Sequence, residues 1–379
     1  MDQGAEPAYS WDDLRREVLD FVRSCRVDEC SYRYSHAATQ PTLYSACYAV
    51  LTMSLFGWTD REDAGFRRRC AGTIDSFQDA DGLFRDPVIF GQGWYADDPL
   101  WCGRAHLTCH VIMALTALGS VASRPFALVE RFSRLGTLEP WLESRDFGAR
   151  VAWTGNEIMN VGTLLQYTRD FHNNTRAGRA VAFLLDWLDE HHLNPETGVW
   201  GALDVADPLA RSHAVQAAYH WWPLYFYDRR PIPHIDRALD TVLATQNPRG
   251  SFGWGVHNSA APYDGSACED IDSIDPLARM SRLTDYRRDE VLAALRTAIP
   301  AVLENRTPDG GFQFMLRRAF EYGHPQLASG ATQGGMFPTW FRTLSLALID
   351  RALAGDTPAQ CPWRFVDCPG YQFWREVGA

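Results

Sequence analysis

Two kinds of apolar segment alternate along the chain. In the first, apolar residues recur every three or four positions and leave one polar side. Ala180, Phe183, Leu184, Trp187 and Leu188 form one such run, and Val291, Leu292, Leu295, Ile299, Val302 and Leu303 another. This spacing predicts amphipathic helices with one wet face. The second kind is apolar nearly all round, as in residues 107–118, 214–226, 274–283 and 340–353. A helix of that composition needs cover on every side.

The two kinds are joined by a recurring loop in which a Gln, Asn or Arg is followed four residues later by Gly and then by an aromatic. It occurs at Gln78, Gly82 and Phe84, at Asn194, Gly198 and Trp200, at Gln246, Gly250 and Phe252, and at Arg306, Gly310 and Phe312. Pro and Asp early in the loop and Gly at its fifth place predict a turn in which Gly adopts positive φ. The aromatic can then pack back under the preceding helix. Two further pairs, residues 11–25 with 42–56 and 128–141 with 158–167, keep the rhythm without the full loop. The reading is six helical hairpins in one domain over residues 1–379, all-α, with outer amphipathic and inner apolar helices. Six such pairs predict an (α/α)6 toroid; an open helical solenoid is the alternative, but a closed ring needs no polar end caps.

Composition narrows the partners. The net charge is −11 and the longest basic run is Arg67-Arg68-Arg69, so a nucleic-acid partner is not expected. The first ten residues lack a basic segment followed by an apolar one, and nothing approaches the ~20 apolar residues that span a bilayer. A cytoplasmic protein without an integral membrane segment is the default expectation. The nine cysteines are scattered, odd in number and without a CxxC pair, which predicts reduced, buried thiols. With 14 Trp, 14 Tyr and 20 Phe, the chain is rich in rings for packing or for lining a pocket.

In every hairpin the chain enters the inner helix at the same end of the ring, so residues distant in sequence should meet at one mouth. They include Trp94, Asp98, Trp101, His106, Trp153, Asn156, Glu157, Arg211 and His213. Inner-helix N-termini add partial positive charge there, which suits an anionic or polyhydroxylated ligand. The densest chemistry lies in Glu269, Asp270, Asp272 and Asp275, four carboxylates at the start of an apolar helix. Crowded beside apolar walls, one of them should hold its proton and serve as an acid. The plainer expectation is that Asp270 or Asp272 N-caps the helix. Tyr219, His220, Trp221, Trp222 and Tyr225 follow in an aromatic stretch that serves as core, stabilises carbocations or stacks on sugars.

The loops at Gln78–Phe84 and Gln246–Phe252 resemble the repeats of squalene-hopene and oxidosqualene cyclases, whose toroid prenyltransferase β subunits share. Asp270-Ile271-Asp272-Ser273, leading into an apolar helix, is similar to the D-x-D-D motif of class II terpene cyclases, with Ser273 in place of the last acid. The resemblance implies that Asp272 protonates an alkene or epoxide of an isoprenoid substrate, with Asp270 as its partner and Glu269 beside them. It implies no resident metal or cofactor, although Mg2+ would accompany a diphosphate substrate held by Arg211, Arg104 and the helix N-termini.

The alternative is a carbohydrate-active α/α toroid: a glycoside hydrolase, polysaccharide lyase or epimerase. Asp98, Trp101, His106, Asn156, Glu157, His213, His220, Tyr263, Glu269 and Asp272 would supply its rim of acids, bases and stacking rings. A binding toroid without catalysis is the third class, against which the repelling acids argue. A homo-oligomer is compatible with everything above.

Overall fold

The computed structural model describes residues 10–257, 265–355 and 361–375. Thirteen α-helices occur among the described residues, and the only strands are two short ones, β1 (Phe320–Glu321) and β2 (Ala328–Ser329), paired antiparallel. The helices are α1 (Trp11–Ser24), α2 (Leu43–Leu55), α3 (Ala64–Asp75), α4 (Arg104–Ala117), α5 (Ala127–Phe132), α6 (Leu135–Glu143) and α7 (Val151–Phe171). They continue with α8 (Thr175–His191), α9 (Pro208–Tyr227), α10 (Ile235–Leu243), α11 (Ala267–Met280), α12 (Arg288–Glu304) and α13 (Met336–Ala354).

Six hairpins follow from this order. The inner helices α2, α4, α7, α9, α11 and α13 each pack on the next, and α13 returns to α2, so the ring is closed. The chain is an all-α α/α toroid. The two rings differ as their patterns require. All thirteen residues of α2 are buried, whereas α1 buries only Leu14, Val18, Leu19, Phe21 and Val22. The third outer element is broken into α5 and α6, where the sequence pattern suggested one helix. Inner helices approach closely where side chains are small: a Cβ on Gly155 of α7 would lie 3.0 Å from the Ala217 Cα of α9.

The repeat loops behave as expected. Gly82, Gly198, Gly250 and Gly310 have φ of +86°, +68°, +83° and +89°. Each loop closes as a short antiparallel bridge, between Gln78 and Phe84, Leu193 and Trp200, Gln246 and Phe252, and Arg306 and Phe312. The Gln78 side-chain amide donates to the Gly82 carbonyl at 2.8 Å and accepts from the Arg124 backbone at 2.9 Å, tying one hairpin to the next.

Two features depart from the sequence expectations. Cys30 and Cys70 form a disulfide, with Cα atoms 5.0 Å apart, so the thiols are not all reduced; the other seven cysteines are free. The pair is 40 residues apart and brought together only by the packing of α3 against the loop after α1. The second feature is the C-terminal segment. Tyr371, Gln372 and Phe373 are buried and lie across the C-terminal ends of the inner helices. Gln372 accepts from the Trp340 indole at 2.6 Å and donates to the Leu51 carbonyl at 3.0 Å. The segment thereby stoppers one end of the ring and leaves the other open.

Candidate active site

A cavity of about 410 Å³ occupies the open end of the ring. The inner helices reach it with successive turns of one face: His106 and His110 from α4, Asn156 from α7, His213, Gln216, Tyr219 and His220 from α9. Cys268 and Asp272 come from α11, and Phe337 and Phe341 from α13. Tyr371 forms part of the wall from the stoppered side, and Trp94, Trp101, Trp153 and His257 stand towards the mouth. The β1–β2 hairpin leans over α13: Phe320 stacks on Phe314 at 3.8 Å and Tyr322 on Phe337 at 4.9 Å.

The four carboxylates of α11 have four different situations. Ser266 is the N-cap, and Glu269 completes a capping box by accepting the Ser266 N–H at 3.1 Å. Glu269 also accepts from Val256 N at 2.9 Å. Burial raises its pKa, but its hydrogen bond and ion pair with His257 outweigh that, so it sits below the usual range. Helix α11 starts earlier than the acids, at Ala267, so neither Asp270 nor Asp272 is the cap. Asp270 accepts from the Ser251 hydroxyl at 2.6 Å and the Phe252 N–H at 3.0 Å, and is paired with Arg342 at 2.7 Å. Arg342 is fully buried and also donates to the Gln313 and Phe314 carbonyls, at 2.8 and 2.9 Å. Asp275 is paired with Arg279 at 2.5 Å.

Asp272 alone faces the cavity. It is 3 % exposed and its Oδ2 has no hydrogen-bond partner among the described residues. Burial pushes its carboxyl well above the usual range, and the charges of Glu269 and Asp270 push the same way. Among the described residues it is the only carboxylate lining the cavity, and no Arg or Lys lines it.

The histidines are its complement. Burial lowers His110 and His220 to about 4, and His106 lies well below its ordinary value for the same reason, with His110 and His220 adding to it. His110 Nδ1 is 2.9 Å from the His106 carbonyl and His220 Nδ1 is 2.6 Å from the Gln216 carbonyl. A carbonyl only accepts, so Nδ1 carries the proton and Nε2 is left as a lone-pair acceptor. Both imidazoles are therefore neutral bases. His106 Nδ1 is held by the Tyr44 hydroxyl at 2.7 Å.

Of the residues expected at the site, Asp272, Trp101, His106, Asn156, His213 and His220 line the cavity. Glu269 and Asp270 lie behind it, bonded as above. Glu157 turns away and pairs with Arg145 at 2.6 Å. Arg211 is spent on the carbonyls of Val205 and Ala244, at 2.7 and 2.9 Å, and Arg104 on Asp79, Asp81 and Asp98. Trp221 packs against Trp200 and Phe147, away from the cavity. Tyr263 lies outside the described residues. Sequence reasoning missed His110, His257, Tyr322, Phe337, Phe341 and Tyr371. The first had a signal, since His106 and His110 are four apart on one helix; Tyr371 and Tyr322 had none, because only the closed ring brings their segments to the cavity.

One carboxylate lines the cavity, and among the described residues no group of three His, Cys, Asp or Glu side chains could hold a metal ion.

No protein-family model matches the sequence, and no curated protein does. Solved structures share the fold. A polysaccharide lyase superposes with a TM-score of 0.51 at 11 % identity, over 89 % of this chain and 97 % of its own. An α-1,6-mannanase from a Salegentibacter species gives 0.47 at 10 % identity, over 91 % and 99 %. A type II terpene cyclase from Scytonema, bound to geranylgeranyl dihydroxybenzoate, gives 0.48 at 15 % identity, over 90 % and 97 %. At these identities the likeness is one of fold alone, and it rests on the polysaccharide lyase.

Proposed function

We propose that this protein is a protonation-initiated cyclase or isomerase acting on an isoprenoid olefin or epoxide, with Asp272 as the acid. One observation carries the reading: a buried carboxyl with no hydrogen-bond partner at Oδ2 among the described residues, its pKa raised by burial, at the wall of an otherwise aromatic and imidazole-lined cavity. Asp272 would transfer its proton to an alkene carbon or epoxide oxygen. The positive charge that results is met by the faces of Tyr219, Tyr322, Phe337 and Phe341, whose quadrupoles attract cations. His106, His110 and His220, lowered by burial, add no positive charge of their own beside it. The Nε2 of His110 or His220 is placed to take a proton from the final cation, so protons balance: one enters from Asp272 and one leaves. Asp270, paired with Arg342, is a positioning residue behind the acid, and its charge adds to the burial that raises the Asp272 pKa. Trp101, Asn156 and His213 would contact substrate nearer the mouth.

A carbohydrate-active reading is favoured by one feature, the tryptophans of the mouth. Trp94 is 45 % and Trp153 39 % exposed, and Trp94 lies 5.5 Å from Trp101, as a stacking platform for sugar faces would require. The polysaccharide lyase that shares the fold belongs to this class. Against a hydrolase in particular, glycoside hydrolysis takes two facing carboxylates about 5–9 Å apart, and among the described residues one lines this cavity.

The test is turnover of prenyl alcohols, polyene epoxides and neutral and acidic oligosaccharides by the wild type and by Asp272→Asn. Cyclised or isomerised products from the first two, lost by at least about a thousandfold in the variant, support the proposal. Cleavage of an oligosaccharide, or undiminished turnover by Asp272→Asn, overturns it.

A further inference from the structure

A second cavity, of about 430 Å³, lies at the opposite end of the ring, between the C-terminal ends of α9 and α11, the start of α10 and the C-terminal segment. Its composition is unlike the rest of this acidic chain. Five arginines line it, Arg229, Arg230, Arg279, Arg282 and Arg375, and among the described residues no carboxylate does. The remaining walls are apolar, with Phe226, Ile232, Ile235, Leu283 and Trp374 among them.

Three of the guanidinium groups are braced from behind. Arg230 is paired with Asp186 and Asp189 at 2.8 and 2.9 Å, Arg279 with Asp275 at 2.5 Å, and Arg375 with Asp367 at 3.0 Å. Arg279 is also 4.3 Å from the Phe373 ring centroid and 5.4 Å from those of Phe226 and Trp374. These contacts fix the planes of the guanidinium groups before any ligand arrives, so little side-chain entropy is lost on binding. Converging arginines suit an oxyanion, because their N–H forks match carboxylate and phosphate oxygens in pairs. Apolar walls suit a hydrocarbon or aryl body, and the volume falls in the range of small-molecule sites.

We propose that this cavity is a second ligand site, distinct from the cavity at Asp272, for an amphipathic anion: a phosphate or carboxylate carried on an apolar body. The charge makes it selective. A neutral molecule would not match the guanidinium N–H forks that line the cavity, and a bare ion would leave the apolar walls wet.

Titration calorimetry of the full chain with 2-naphthyl phosphate tests this, with 2-naphthol and inorganic phosphate as comparators. The expected result is one saturable site for the ester, with both comparators weaker by about tenfold or more. Leu283→Glu, at a position 41 % exposed, and Arg282→Ser should each weaken the ester by about tenfold or more while circular dichroism stays unchanged. Asp272→Asn, in the other cavity, should bind it as the wild type does. Equal affinity for 2-naphthol, or unaltered binding in both cavity variants, overturns the proposal. So does binding seen only in a chain ending at Arg375, since the chain's own tail would then be the occupant.

Discussion

The second, fifth and sixth hairpins are three copies of one joint with different contents. In each, the aromatic of the loop donates its backbone N–H to a side chain one turn into the inner helix. Phe84 donates to Thr108 at 3.0 Å, Phe312 to Thr339 at 2.9 Å and Phe252 to Asp270 at 3.0 Å. Asp270 thus stands where the other two hairpins carry threonine. Two residues further on, His110, Phe341 and Asp272 all face the cavity; two residues earlier, His106, Phe337 and Cys268 do. The comparison separates the two acids that sequence puts side by side. Asp270 is the joint, paired with Arg342; Asp272 is the cavity position, its pKa raised by burial and its Oδ2 without a hydrogen-bond partner among the described residues.

The largest break in that comparison is Asp272→Asn, which should abolish turnover without unfolding the chain. It also sharpens a pH argument. A carboxyl whose folded pKa is raised adds stability that is complete below its unfolded value and is lost as pH rises through the folded one. Denaturant titrations should therefore show the wild type losing stability relative to Asp272→Asn as pH climbs above the ordinary Asp value of 3.8. A constant difference across pH would mean that folding leaves the Asp272 pKa at its ordinary value.

Next in size is Arg342→Met. Removing the cation leaves Asp270 buried and uncompensated, a loss of about 3–5 kcal/mol. The matching joint in the sixth hairpin has no charge to strand, so Thr339→Val should cost about 1 kcal/mol. Urea midpoints for the two variants measure the contrast, and equal losses would erase the distinction between the joints.

His110→Phe gives this position the aromatic character of Phe341. With a folded pKa of about 4 against an ordinary 6.5, His110 contributes stability present above 6.5 and lost as pH falls towards 4. The variant should flatten the acid limb by on the order of 3 kcal/mol, read from melting temperatures across that window.

A further effect concerns the shared loop. Gly250 has φ of +83° and an added Cβ would come within 2.8 Å of the Thr297 carbonyl. Gly250→Val should destabilise by about 1–3 kcal/mol through strain at positive φ. A neutral result in thermal melts would show that this loop relaxes freely.

Much of this molecule is written locally. The alternation of half-wet and wholly apolar helices, and a glycine turn between them, depend on residues within one hairpin, so periodicity alone set out six hairpins and the four positive-φ glycines. The acid segment was legible for the same reason: Glu269, Asp270, Asp272 and Asp275 are neighbours in the chain. Which of them faces the cavity was decided elsewhere. Arg342 is 72 residues from Asp270 and neutralises it only because α13 closes on α11. Arg211 and Glu157 looked available in the sequence, but carbonyls and Arg145 consume them once the loops are packed. Tyr371 becomes a cavity wall only because the C-terminal segment stoppers the ring. A local pattern reports whether a side chain is turned inward. The groups it meets there, and the proton it holds as a result, depend on burial and on charges from distant segments, which exist only after the ring has closed.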